Sequence, residues 1–195
     1  MIRIGVIGSI GSGKSFISKL FNCPVFNADA EVKYIYRNNK KCYQKLKKKI
    51  PNIIKSFPIS KKELIKAINE DGKNLKKISS IVHPLVRKRM QTFLKKNKKR
   101  KIIVLDIPLL IENKLHHKDD ILIFIQSDKK KILNRLKKRS TYNKKILKNL
   151  EENQLNLLKK RKLAKYIVDN NFSQNIMKKK INILKNKILY ERSST

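Results

Sequence analysis

Apolar positions along the chain fall into two rhythms. An apolar stretch interrupted by Arg3 spans Ile2–Ile7, and continuous apolar runs occur at Ile102–Leu105 and Ile121–Ile125. Runs of this length, rich in β-branched residues, mark strands buried on both faces, as in a parallel sheet. Val25–Asn27 and Tyr166–Val168 are shorter strand candidates. Between the runs the spacing turns helical. Asp29 opens a helical stretch through Val32, Ile35 and Tyr36. Residues 38–80 scatter apolar positions among lysines and are broken by Pro51 and Pro58, which fits several short helices. His83-Pro84 predicts a helix start, with Pro84 at the first helical position and Leu85, Val86, Met90, Phe93 and Leu94 on one side. Asp128 is suited to cap a helix from Lys129 to about Lys138. Asn143–Leu163 carries one long helical pattern, and Ser173 is placed to cap a last helix bearing Met177, Ile181, Leu184 and Ile188. Five strand candidates alternating with helices predict an α/β fold with a parallel sheet, which binds ligands at the carboxyl ends of its strands.

Composition narrows this picture only a little. The 195 residues, 40% of them hydrophobic, suffice for one domain with a core. The formal net charge of +36 suggests nucleic acid or an anionic surface as partner. However, lysines run from end to end, Ile and Asn are abundant, and Trp is absent. That pattern fits codon bias in an AT-rich genome better than a binding face, so neither a specific nucleic acid nor a membrane is expected as partner. Cys23 and Cys42 match neither a zinc pattern nor a disulfide framework. The chain enters its first strand at once, so no signal peptide is expected. The longest apolar stretch, Ile102–Ile111, is interrupted by Asp106 and is too short to span a bilayer. A cytoplasmic protein is expected.

The chemistry is concentrated at the first turn. Gly8–Ser15 reads GSIGSGKS directly after the first strand, matching the phosphate-loop pattern GxxxxGK[ST] in its required context. Gly8, Gly11 and Gly13 let backbone N–H groups point inward around a polyphosphate. A helix from Lys14 onward adds positive potential at its N-terminus. Lys14 is placed to reach the β- and γ-phosphates, and the Ser15 hydroxyl to bind Mg²⁺. The expected ATP-binding set is Gly8, Gly11, Ser12, Gly13, Lys14, Ser15 and Phe16.

Other residues have two readings each. Asp29, just past the second strand, suits a general base for an attacking hydroxyl and equally a helix N-cap. Asp106, at the end of a buried strand, can hold Mg²⁺ through water or simply close the strand in a turn. Arg135 and Arg139 lie one helical turn apart before a polar segment, where guanidinium groups can close over transferring phosphates. In so basic a chain they can also be merely solvated. His83, His116 and His117 show no metal-ligand spacing.

Taken together, these segments resemble the dephospho-CoA kinase family along nearly the whole chain. The matching elements are IGVIGSIGSGKS, NADAEV, VHPLVRKRM, VLDIPLLIEN, and the tail Gln154 … Lys160 … Ala164 … Tyr166-Ile-Val-Asp-Asn. The resemblance implies a P-loop kinase fold: a five-stranded parallel sheet flanked by helices, with a helical substrate region and a lid. It implies transfer of the γ-phosphoryl of ATP to the 3′-hydroxyl of dephospho-CoA, giving coenzyme A and ADP, with Mg²⁺. In a single kinase domain, the core would be about 1–28, 100–134 and 164–195, the substrate region about 29–99, and the lid about 135–163. Lys14 and Ser15 would bind phosphate and Mg²⁺, Asp29 would be the base, His83 would lie with the substrate, and Arg139 would be the lid arginine. The family pattern usually has an acid where this chain has Asn27, Ser140 and Lys165, and commonly Thr at Phe16. A nucleoside or nucleotide kinase is the competing enzyme reading. A nucleic-acid binder with a vestigial loop is the competing reading from another class. The oligomeric state is open.

Overall fold

Long apolar runs have no polar face to turn to solvent, so the chain stacks them side by side. In the computed structural model, which describes residues 1–138 and 154–193, they form β1 (Ile2–Gly8), β3 (Ile102–Asp106) and β4 (Ile121–Gln126), with β2 (Val25–Asn27) and β5 (Tyr166–Asp169) outside them. The order is β2-β3-β1-β4-β5 and every neighbouring pair is parallel. Ile4 sits in register with Val104 on one side and Ile121 on the other. The chain winds outward from β1 in both directions. This makes the carboxyl end of β1 the switch point where such sheets bind ligands.

Eight helices lie among the described residues: α1 (Lys14–Leu20), α2 (Ala28–Asn38), α3 (Lys40–Lys49), α4 (Lys61–Glu70), α5 (Lys73–Lys96), α6 (Lys129–Lys137), α7 (Leu157–Leu163) and α8 (Gln174–Ser193). The chain divides into two compact units. One holds the sheet and comprises Met1–Asn27 and the described residues from Lys99 onward; the other is Ala28–Lys98. The sheet unit buries Ile4, Val6 and Ile123 with Ile17 and Phe21 of α1 and Met177, Ile181 and Ile188 of α8. The helical unit has its own core of Ile35, Leu46, Ile54, Ala67, Ile78 and Val82.

Two expectations from the pattern fail. The helix with His83-Pro84 does not begin there: α5 begins at Lys73 and Pro84 lies inside it. A proline in a helix forfeits one backbone hydrogen bond, to the residue four before it. Here Ile78 and Val82 are anchored in the core on the N-terminal side and Met90 is buried on the other. Ser80 and Pro84 are exposed, so water reaches the carbonyl that loses its partner. The second failure is the continuous helix over Asn143–Leu163. Its first part, to residue 153, lies outside the described residues. Residues 154–156 are not helical, and Asn156 caps α7 by accepting from the Leu158 N–H at 2.8 Å. The Leu155 N–H instead donates to the Glu112 carboxylate at 3.0 Å, which takes this backbone out of a helical path. Lys160, buried, closes an ion pair with the same Glu112 at 2.6 Å.

In the helical unit, Glu63 organises the turn before α4. It completes a capping box with Ser60 and also accepts from the N–H groups of Lys55 and Ser56, at 2.9 Å each. Partial burial alone would raise its pKa. The hydrogen bonds from Lys55, Ser56 and Ser60 outweigh that and hold it at about 2, against an ordinary 4.5. The folded pKa is depressed, so this carboxylate stabilises the fold above the unfolded value and ceases to as pH falls through the folded one. Wild type should exceed Glu63→Gln in unfolding free energy at pH 7, and the gap should close as pH falls from about 4.5 toward 2. Urea unfolding of both proteins at several pH values checks this; a gap independent of pH would rule the linkage out.

Candidate active site

The phosphate-loop sequence folds at the carboxyl end of β1. Gly8, Gly11 and Gly13 all have positive φ, at 147°, 81° and 91°. Gly13 is the last residue before α1. A Cβ there would lie 2.4 Å from Asn170 Nδ2, and one on Gly11 would lie 2.9 Å from Ile132 of α6. The loop is therefore closed in by neighbours that tolerate only glycine, and its shape is set before any ligand arrives. Gly13→Ala should cost about 1–3 kcal/mol of stability through left-handed strain and displacement of Asn170. Denaturant unfolding measures this, and an alanine variant as stable as wild type would show that the loop has slack.

Lys14 opens α1 and turns back across the loop. Its Nζ donates to the carbonyls of Gly8 at 3.2 Å and Ser9 at 2.7 Å. Ser15 is exposed in the first turn of α1. Phe16 is partly buried against the sheet core, so what it presents to the loop is its backbone. Ser12 is fully buried, and its carbonyl accepts from Ser127 Oγ and from Asn170 Nδ2, each at 2.9 Å. With that carbonyl held outward by two donors, the backbone of the loop is fixed on its outer side.

Ser127 and Asn170 are residues that the sequence reading left without a role. They follow β4 and β5 respectively, so the parallel sheet brings both to its carboxyl end, on the side of β1 where β4 and β5 lie. Their position just past strand ends was the available signal. Phe172 belongs to the same cluster. Its N–H donates to Asn170 Oδ1 at 2.9 Å, and the Arg135 guanidinium of α6 lies 4.2 Å from its ring centroid. Arg135 is thus an exposed side chain stacked on an aromatic face. Arg139 lies outside the described residues.

Asp106 is not a turn residue. It is the last residue of β3, buried, and in register with Asn27 of β2. Asn27 Nδ2 donates to Asp106 Oδ2. The amide at position 27 therefore has a definite task, holding a buried carboxylate that would otherwise lack this donor. Lys165 stands before β5, at the amino end of the strand, away from the loop. It pairs there with Glu191 at 2.6 Å.

Asp29 and His83 belong to the helical unit. Asp29 is in the first turn of α2, one residue past Ala28. It follows Asn27 of the sheet unit by two residues of chain. A carboxylate in a first turn favours the helix dipole. His83 is exposed on α5. Among the described residues, no group of three or more His, Cys, Asp or Glu side chains forms a metal cluster. The oxygen donors expected from the sequence are the Ser15 hydroxyl, exposed in the first turn of α1, and the Asp106 carboxylate, buried at the end of β3. That hard, sparse set fits Mg²⁺, which keeps most of its waters and takes phosphate oxygens as well.

Comparison with known proteins gives the family and the fold. The dephospho-CoA kinase family profile matches residues 2–175. A dephospho-CoA kinase of Wolbachia pipientis wMel is 32% identical over 176 residues, covering 88% of this chain and 90% of the relative. One from Wolbachia sp. subsp. Brugia malayi is 35% identical with the same coverage. Among solved structures, a Thermus thermophilus protein superposes with TM-score 0.76 at 26% identity, covering 97% of each chain. The dephospho-CoA kinase of Campylobacter jejuni, at 22% identity and TM-score 0.67, covers 95% of this chain and 96% of its own, and shares the fold.

Proposed function

The chain belongs to the dephospho-CoA kinase family and is an ATP-dependent phosphotransferase; from that premise we propose that it phosphorylates the ribose 3′-hydroxyl of dephospho-CoA, giving coenzyme A and ADP. The observation that carries the phosphoryl-transfer reading is the Gly8–Ser15 loop, with three glycines at positive φ and close neighbours around them, at the switch point of the sheet. The acceptor is assigned from the family. ATP lies with its β- and γ-phosphates in the loop, against Lys14 and the first turn of α1. Gly8, Gly11, Ser12, Gly13, Ser15 and Phe16 supply the rest of the cradle. Bound Mg²⁺ would neutralise charge developing on the β- and γ-oxygens. Ser15 would hold it directly and Asp106 through water.

The acceptor hydroxyl lies at Asp29, which orients it and takes its proton as the phosphoryl group arrives. His83 and the rest of the substrate region, about residues 29–99, hold the acceptor. Residues 135–163 act as the lid, and the reaction takes place in the cytoplasm. Arg139 serves the transferring group from the lid, so Arg139→Ala should lower kcat more than it weakens ATP binding. Arg139→Lys should rescue poorly, because a point charge lacks the planar fork. Steady-state kinetics with a separate ATP-binding titration check this; a lysine variant equal to wild type would show that charge alone suffices. The reading as a whole is tested by incubating the protein with ATP, Mg²⁺ and dephospho-CoA and following coenzyme A and ADP. ATP turnover with a nucleoside but not with dephospho-CoA would transfer the protein to the competing kinase class.

A further inference from the structure

Helix α8 buries one apolar face in the core, and its outer face carries three spaced apolar side chains among lysines. Met177, Ile181 and Ile188 are buried in the core. Ile176, Ile183 and Tyr190 recur every seven residues, about two turns apart, and so fall in one line along the helix. They are 46%, 71% and 74% exposed. Lys179, Lys180 and Lys187 lie between them, all exposed. Asn186 is the other polar residue in the row. The nearest acid, Glu191, is engaged by Lys165 and by the Tyr166 hydroxyl, each at 2.6 Å.

Single exposed apolar residues are ordinary on a protein surface. A line of three on a lysine face is a different pattern. It is that of a helix lying in the plane of a membrane interface, where apolar side chains enter the acyl boundary and lysine stems reach out to the headgroups. The charges decide between possible occupants. A second copy would set lysine against lysine, between two chains of net charge +36. A nucleic acid would match the lysines but offer nothing to Ile176 and Ile183. An anionic bilayer satisfies both halves of the face, and tyrosine is at home at its interface. We infer that the outer face of α8 docks this protein peripherally on membranes rich in anionic lipid. No described helix is long and apolar enough to cross a membrane, so the contact is superficial. It revises the expectation that no membrane is a partner. None of the face residues belongs to the phosphate loop or to the Asn27–Asp106 pair, so docking and catalysis are separable.

The absence of tryptophan makes Tyr190→Trp a clean reporter. The full chain is mixed with vesicles of phosphatidylcholine alone, or with about 30% phosphatidylglycerol, at about 0.15 M salt. The anionic vesicles should co-sediment the protein about tenfold more strongly, and the emission of Trp at position 190 should shift to the blue on binding. Ile176→Ser with Ile183→Ser leaves the charge unchanged. This pair should lower partitioning about tenfold while kcat/KM and melting temperature stay at wild type. Lys179, Lys180 and Lys187 changed together to Gln should lower binding to anionic vesicles about tenfold. The same change at Lys47, Lys48 and Lys49 of α3 should matter little. Three results would overturn the inference: no vesicle binding, equal binding by the serine pair and wild type, or a stripe-dependent dimer in sedimentation. If the stripe-dependent loss appears in a protein that makes no coenzyme A, docking stands and only the acceptor assignment falls.

Discussion

Asp29→Asn is expected to lower kcat about a hundredfold or more with little change in melting temperature. Asparagine keeps the size and polarity of the side chain. It cannot accept the proton that the 3′-hydroxyl must lose as its oxygen bonds to phosphorus. The structural alternative makes a different forecast. Asp29 sits in the first turn of α2, where loss of its charge removes a dipole interaction of about 0.3–1 kcal/mol. For a chain of this size that is at most about 2–4 °C in melting temperature. A large kinetic loss with a small thermal one identifies the base. A loss of activity that merely tracks unfolding would leave Asp29 as a helix-terminus residue and place the base elsewhere. Asn27→Ala is the contrasting variant. Asn27 has no proton to take, yet it donates to the buried Asp106 carboxylate. Removing that donor leaves a buried acceptor poorly satisfied, at a cost of about 1–3 kcal/mol. Position 27 should therefore be expensive for stability and position 29 for turnover.

Lys14→Ala should also reduce kcat about a hundredfold or more. Its ammonium is held over the loop by the carbonyls of Gly8 and Ser9. The charge is thus held at the loop, and on the proposed binding of ATP it exchanges these carbonyls for the β- and γ-phosphates. A preorganised charge of this kind is stronger in the transition state than in the ground state, so the loss falls on kcat more than on KM. The fold should survive, because Gly13, Asn170 and Ser127 keep the loop in shape without the lysine. The measurement is kcat and KM for ATP beside a thermal melt. A Lys14→Ala variant with near-normal kcat would remove the central role assigned to the loop.

The local signals in this chain were read correctly where one physical cause dominates. Buried runs such as Ile102–Leu105 and Ile121–Ile125 can only be interior strands, because nothing in them tolerates water. Glycines at Gly8, Gly11 and Gly13 followed by Lys14 and Ser15 specify a loop whose conformation few other sequences adopt. Asp128 capped α6 as its position implied, accepting from the Lys131 N–H at 2.9 Å. The sequence also carried the family, through segments whose order and spacing span most of the chain.

What it did not determine were outcomes settled by competition between distant residues. Pro84 signals a helix start locally, but core contacts of Ile78, Val82 and Met90 outweigh one lost hydrogen bond and carry α5 through it. The apolar rhythm before Leu163 is helical, but the Glu112 carboxylate takes the Leu155 N–H and pairs with Lys160 from far along the chain, and among the described residues 154–156 stand outside the helix that Asn156 caps. Asn27 looked like a lost acid until the β2–β3 register placed it on Asp106. Ser127 and Asn170 meet at the Ser12 carbonyl only because β4 lies next to β1 and β5 next to β4, all running parallel. Propensity and periodicity act over a turn or two of chain, and they determined the elements here. Which buried polar group meets which partner depends on strand order and register, and tertiary structure alone decides that.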